Sequence, residues 1–402
     1  MDNNSDLSKQ NSYAIPSERL PWAGLMALAM AGFICILTET IPAGLLIEIS
    51  KGLGVSESLA GQLVTAYALG SLIAAIPITT ATQGWHRKPL LLLCIIGFLV
   101  FNTITALSSS LTLTLIARFF AGVTAGVLWG LTAGYARLMA PESLKGRAMA
   151  VAMIGTPLAL ALGVPTGTFL GSLVGWRNVF GIMSLLAALL ILWIIWKVPN
   201  FPGQTSSKRR TLLEVFITPG VRPILFVVLA WILSHNMLYT YIAPYLSEAG
   251  LAKRIDLILL VFGMASLVGI WVISIFIERR LRTLVLMSLV GFGLASFALG
   301  IGISHPIIIY SAVTVWGLTF GGAATLTQTA IADNAKKGAD IAQSMLVTVW
   351  NLAIGGGSAI GAVLIESFDV SSFPWVMFIL ILLGFLVAFR ANVYGFPQKT
   401  NN

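Results

Sequence analysis

The chain has 402 residues, 57% of them hydrophobic and only 10% charged, with a formal net charge of +9. Soluble domains are about a quarter charged, so this composition excludes a soluble globular protein and describes an integral membrane protein. In such a chain the positive excess is read by its position along the sequence and not as an affinity for nucleic acid.

In chain order, the first 20 residues are polar and are expected to be a disordered tail. The apolar run after them is long and carries no small-residue cleavage site, so it reads as a first membrane helix and not as a removed signal peptide. A span needs ~20 apolar residues. Twelve runs qualify, at about 22–46, 58–80, 89–107, 111–136, 147–172, 178–197, 221–244, 256–277, 283–303, 307–331, 341–364 and 373–391. Polar joints separate them, among them SKGLGVSES, QGWHRK, APESLKGR, ERRLR and DNAKKGAD.

The longest internal polar segment is VPNFPGQTSSKRRTLLEVFITPG, at 198–220. It divides the chain into a tail (1–20), an N-terminal six-helix bundle (21–198), a linker (199–220), a C-terminal six-helix bundle (221–392) and a second tail (393–402). An even number of spans puts both termini on one side. By this map 19 of the 24 Lys and Arg lie on that side and four on the other, which orients both termini to the cytoplasm. The halves echo each other: LWGLTAG (128–134) returns as VWGLTFG (315–321), and LKGRA (144–148) as KKGAD (336–340). The expected fold is therefore an all-α membrane protein of 12 transmembrane helices in two six-helix pseudo-repeats, which resembles the major facilitator fold with its solute site between the halves.

The fifth span carries Gly155, Ala159, Gly163, Gly167 and Gly171 at every fourth residue, a face that admits a second backbone closely. Pro157 and Pro165 favour bends in the same span. The stripe reads equally as tight static packing or as a helix that slides during transport. Gly122 and Gly126 give the fourth span a similar small face beside Arg118. Ser344, Thr348, Asn351, Gly355 and Ser358 form a polar stripe on the eleventh span, expected to line a wet cavity.

Of 15 acidic residues only Glu39 lies well inside a span, and of the basic residues only Arg118. Glu39 sits about seven residues, or roughly 10 Å, below the periplasmic face, and Arg118 at a similar depth on an antiparallel span. Buried ion pairs are weak stabilisers, so a lone pair in a bundle otherwise free of charge points to function. Burial favours a neutral carboxyl and a nearby guanidinium favours the ionised one. Glu39 is thus the expected proton carrier and Arg118, which keeps its own proton, the fixed charge that governs it.

Candidate solute contacts are polar or aromatic residues within spans: Gln62, Tyr67, Trp129, His235, Asn236, Tyr239, Tyr241, Gln328, Trp350 and Asn351. Each also reads as an interhelical hydrogen bond or an interfacial aromatic. So few charges suit a neutral or amphipathic solute. Cys35 and Cys94 lie in apolar runs and give no disulfide framework, and no His or Cys cluster has metal-ligand spacing, so neither metal nor cofactor is expected. No Ser/His/Asp arrangement suggests an enzyme.

Residues 20–392 resemble the twelve-helix drug:proton antiporter branch of the major facilitator superfamily, in particular its arabinose-efflux, sugar-efflux and purine-ribonucleoside-efflux-like members. The resemblance rests on TETIPAGLL (38–46), LGVSESLAGQLVTAYALG (53–70), ARFFAGVTAG (117–126), LGVPTGTFLGSLVGWRNVF (162–180), YTYIAP (239–244) and the WGLT segment at 316–319. It implies a single polypeptide in a bacterial inner membrane, working as a monomer and exporting a small molecule in exchange for protons. The family's fourth-helix arginine maps onto Arg118, its first-helix acid onto Glu39 and its fifth-helix antiporter motif onto Gly163, Pro165 and Gly167, interrupted by Val164. In the loop after the second span Arg87 and Lys88 are kept, while Gln83 stands where an Asp is expected and His86 where a Gly is. Glu278, beside Arg279 in the equivalent loop, is the substitute gate acid. Two other readings stand beside export: an uncoupled facilitator or importer, and a membrane sensor that does not transport.

Overall fold

The computed structural model describes residues 20–75, 77–82, 84–141, 144–203, 212–335 and 339–397. The expected N-terminal tail, much of the linker, Gln83 and the KKG of KKGAD lie outside the described residues. Among the described residues all regular structure is helical.

Seven long helices come first: α1 (Trp22–Gly44), α2 (Glu57–Ala75), α3 (Arg87–Leu107), α4 (Leu111–Met139), α5 (Lys145–Val174), α6 (Trp176–Lys197) and α7 (Val221–Thr240). The next helical run, Ala252–Ile301, has 50 residues. At 1.5 Å per residue it is about 75 Å long, more than twice a ~30 Å hydrocarbon core. It therefore crosses twice, turning at Arg280, whose φ of −131° and ψ of 30° leave the helical region. Its halves are α8 (255–279) and α9 (281–301). Then come α10 (Pro306–Ala335), α11 (Ala339–Ser367) and α12 (Phe373–Arg390). The twelve apolar runs are all recovered, with one correction: ERRLR is not a loop but a helical corner, with Glu278, Arg279 and Arg280 exposed.

Four spans are broken, in three ways. In α5, Pro157 and Pro165 flank a π-helical turn, Ala159–Gly163. A proline has no N–H for the ladder, and the wider turn absorbs the missing bonds. In α10 the helix stops at Phe320 and resumes at Ala323, across Gly321 and Gly322. The third break is shared by symmetry. After α1, Leu45 leaves helical geometry and a short helix Leu46–Leu53 runs to Gly54, at φ +65°. After α7, Tyr241 does the same and Ile242–Glu248 runs on towards Gly250, at φ +74°.

Small residues set the closest approaches. A β-carbon on Gly122 would overlap the backbone of Tyr67, and one on Gly126 the carbonyl of Ser71, so α2 and α4 touch backbone to backbone. The α5 stripe meets α1 along its length, Gly155 at Ala29, Gly163 at Phe33, Gly167 at Ile41 and Gly171 at Leu45.

The same contacts fix the repeat register. Gly317 meets the backbone of Phe262 and Gly321 that of Ser266, as Gly122 and Gly126 meet Tyr67 and Ser71. Gly291 packs on Thr319 as Gly97 packs on Thr124. ARFFAGVTAG (117–126) is thus the counterpart of AVTVWGLTFG (312–321). This corrects the expected pairing of LWGLTAG with VWGLTFG: Trp129 lies two turns further along α4 than the residue that matches Trp316. Helices on either side of the linker meet along two seams, α2 against α11 and α5 against α8.

Candidate functional site

Glu39 lies three residues before Pro42, near the end of α1, and is buried, with 8% of its surface exposed. Arg118 on α4 is wholly buried. The two are neighbours, but not as a side-chain ion pair. Arg118 Nη2 donates to the backbone carbonyl of Glu39 at 3.5 Å and Nε to the carbonyl of Leu63 at 3.5 Å. The guanidinium lies over the Tyr67 ring at 4.8 Å and the Phe180 ring at 5.8 Å, so quadrupoles supply part of its stabilisation. Nη1 is buried without a partner, and the carboxylate of Glu39, a residue with 8% of its surface exposed, makes no hydrogen bond among the described residues. Beside it Asn102 donates to Thr38 Oγ1 at 3.0 Å, leaving its own Oδ1 buried and unpaired. Unpaired buried polar atoms are costly. Two of them, Arg118 Nη1 and Asn102 Oδ1, belong to side chains that reach α1 at Glu39 and Thr38.

The solute candidates divide. Tyr67 is committed elsewhere: its hydroxyl donates to the Cys35 carbonyl at 3.1 Å beneath Arg118. Tyr241 is buried at the α2–α7–α11 junction, its hydroxyl shared between the carbonyls of Ser358 (3.2 Å) and Ser58 (3.4 Å). Gln62 lines a lateral groove of about 410 Å³ between α2 and α4, together with Leu69, Ile116 and Phe120. Gln328 is exposed, and Gln343 bonds its main-chain carbonyl. Asn236 and Asn351 bond their own helices at Ile232 and Val347. Trp129 and Trp350 are partly buried. The expected α11 stripe also splits: Ser358 and Gly355 pack on α2, with Ser358 Oγ donating to Gly61 O at 2.8 Å, while Ser344 is exposed.

His235 and Tyr239 enter a cluster that the sequence reading had only in part. The His235 ring stacks on Phe320 with centroids 3.6 Å apart and planes 10° from parallel. Tyr239 lies 4.9 Å away, Trp316 5.3 Å and Phe262 5.6 Å. His235 Nδ1, Tyr239 Oη and Trp316 Nε1 are all buried without partners. Phe262 and Phe320 look like ordinary core residues in sequence. The repeat aligned in its true register is the signal that reaches them, because Phe262 stands at the place of Tyr67.

Lys88 and the main chain of Arg87 act as anchors. Lys88 Nζ donates to Ile195 O at 2.8 Å at the end of α6, and the Arg87 amide to Phe201 O at 2.9 Å. In the second half the corresponding work falls to Arg282 and not to Arg279: its guanidinium binds the carbonyls of Ala388, Phe389 and Phe396 around the end of α12. Cations suit the carbonyl-rich ends of helices.

Comparison with known proteins agrees with this fold. The family model described as Major Facilitator Superfamily matches residues 28–354. The chain is 29% identical over 374 residues to the purine ribonucleoside efflux pump NepI of Escherichia coli O6:K15:H31 (strain 536), covering 92% of this chain and 93% of that one. It is 28% identical to the protein of the same name from Shigella dysenteriae serotype 1 (strain Sd197), covering 92% and 94%. Among solved structures it resembles a bacterial homologue of the human lysosomal transporter Spinster, in an inward-facing and unoccupied conformation. The TM-score is 0.64 at 13% identity, over 94% of this chain and 97% of that one.

Proposed function

The chain belongs to the Major Facilitator Superfamily, and on that premise we propose that it is a proton-coupled antiporter exporting purine ribonucleosides, or small neutral solutes like them, across a bacterial inner membrane. The solute class follows the name of the relatives, 28–29% identical over nearly the whole chain. Proton coupling rests on one observation: Glu39 is a buried residue whose carboxylate makes no hydrogen bond among the described residues, while the neighbouring guanidinium is engaged at the Glu39 main chain.

In this reading the two units are residues 21–198 and 221–392, with both termini in the cytoplasm, and they rock about the α2–α11 and α5–α8 seams. The Tyr241 and Ser358 bonds close the periplasmic end. Protonated Glu39 is neutral and stable in its apolar pocket. Deprotonation leaves a carboxylate that draws the guanidinium from the main-chain carbonyl towards the side chain, shifting α4 against α1. Solute and proton thus favour opposite orientations of one cavity. The α5 bends and the α1–α5 glycine face provide the moving contact.

The test is transport in proteoliposomes loaded with labelled adenosine or inosine. An imposed proton gradient drives counterflow by the native protein. Glu39→Gln loses gradient-driven flux and keeps solute exchange. Uphill pumping by Glu39→Gln at the native rate would sink the coupling assignment and leave an uncoupled carrier.

A further inference from the structure

The break registers of α1 and α7 place two residues in equivalent positions. Leu45 and Tyr241 interrupt their helices, and Gly54 and Gly250 close the short helices that follow. Counted back from these marks, Glu39 and His235 occupy the same place, each fifteen residues before its glycine. Around Glu39 the first half has a cation and unpaired polar groups. Around His235 the second half has flat rings: Tyr239, Phe262, Trp316 and Phe320. Val313 stands where the repeat has Arg118, so this pole carries no fixed charge.

From this arrangement we propose that the His235–Phe320 stack is the subsite for the planar heterocyclic ring of the exported solute, which takes the place of Phe320 against the imidazole. This assignment rests on the proposed export of a purine ribonucleoside and names the site that holds its base.

Three features support it. The spacing between the two rings is that of a stacked pair, so a flat ring of similar thickness replaces Phe320 without enlarging the site. Phe320 alone among these rings is partly exposed, and it is the last residue of its helix before the Gly321–Gly322 break. Finally, His235 Nδ1, Tyr239 Oη and Trp316 Nε1 are buried without partners. A purine edge carries both donors and acceptors, which suit Tyr239 Oη and Trp316 Nε1 on the rings around the stack, whereas a sugar has no π face. The ring pole and the proton pole then lie at equal depth on opposite halves, so ring binding and Glu39 ionisation are read by the same rocking motion.

The test uses the full chain in lipid nanodiscs with 8-azidoadenosine as photoprobe. Labelling of peptides containing His235 or Phe320, displaced by excess adenine but not by ribose, is the expected result. In parallel, labelled adenosine binding weakens about tenfold or more in His235→Ala, which loses the stacking surface, and holds or tightens in Phe320→Leu, whose side chain no longer competes for the imidazole face. Phe320→Tyr, which keeps the ring, binds as the native protein does. Size-exclusion profiles separate loss of binding from loss of fold, and photolabelling of the native chain needs no variant. Label confined to residues 22–197, native affinity in His235→Ala, or weakened binding in Phe320→Leu overturns the subsite and leaves the export reading intact. A native chain that binds no adenosine removes both.

Discussion

Arg118 holds Glu39 by its backbone: Nη2 donates to the main-chain carbonyl at 3.5 Å, and the carboxylate is left without a partner. A guanidinium does this because its planar fork reaches the Leu63 and Glu39 carbonyls together while lying across Tyr67. A lysine has the charge without the fork. Arg118→Lys is expected to reach the membrane in native amount and lose more than tenfold in adenosine efflux, measured in cells. Efflux within twofold of native would show that charge alone suffices there.

The Tyr241 hydroxyl and Ser358 Oγ tie α7 and α11 to α2. A neutral hydrogen bond is worth roughly 0.5–1.5 kcal/mol net, so Tyr241→Phe should shift the closed–open equilibrium about threefold to tenfold towards opening at this end. Cysteines placed near Gly54 and Gly250 would then react faster with an impermeant thiol reagent. Gly61→Ala should act in the same direction, since its β-carbon would overlap the Tyr241 ring. Unchanged labelling rates in both would exclude a latch.

Gly122 and Gly134 lie on the same helix and meet opposite surroundings. A β-carbon at Gly122 would overlap the Tyr67 carbonyl, whereas nothing lies near one at Gly134. Overpacking costs about 1–3 kcal/mol, and replacing an interior helical glycine by alanine gains up to about 1 kcal/mol. Gly122→Ala should lower the thermal midpoint in detergent by several degrees and Gly134→Ala should hold or raise it. Equal midpoints would contradict the backbone contact between α2 and α4.

Outside the spans, partial burial and the facing Asp369 carboxylate hold the Glu248 carboxyl above its usual range. A carboxyl raised in the folded state stabilises when protonated and loses that contribution as pH rises through its folded value. Asp369→Asn keeps the side-chain oxygen that accepts from the Val370 amide and removes the repulsion. Its thermal midpoint should exceed the native one at pH 8 and converge with it at pH 4. A gain that grows on acidification would reverse the sign and reject the pairing.

Much of this was legible beforehand because a bilayer enforces simple rules. Every crossing needs about twenty apolar residues with its backbone bonded internally, so the spans and the two stray charges stood out. The α5 glycine face was legible for a related reason: only small residues at every fourth position admit a second helix so closely. The ring cluster was not. Phe262 and Phe320 have the composition of any core position, and the repeated WGLT letters drew the alignment two turns away from the register that the Gly122–Tyr67 and Gly317–Phe262 contacts require.

The sequence alone determined that this is a many-span membrane protein, which helices it has, and that Glu39 and Arg118 are its exceptional charges, because burying charge in hydrocarbon is costly enough to be visible in one dimension. Tertiary structure decided the partners: that the guanidinium meets a main-chain carbonyl, that Tyr241 closes a junction, and that His235, at the position in the second half equivalent to Glu39 in the first, stacks on Phe320. Those choices follow from helix register and rotation, where shifts of a few ångströms exchange one neighbour for another without changing a single residue's preference for oil or water.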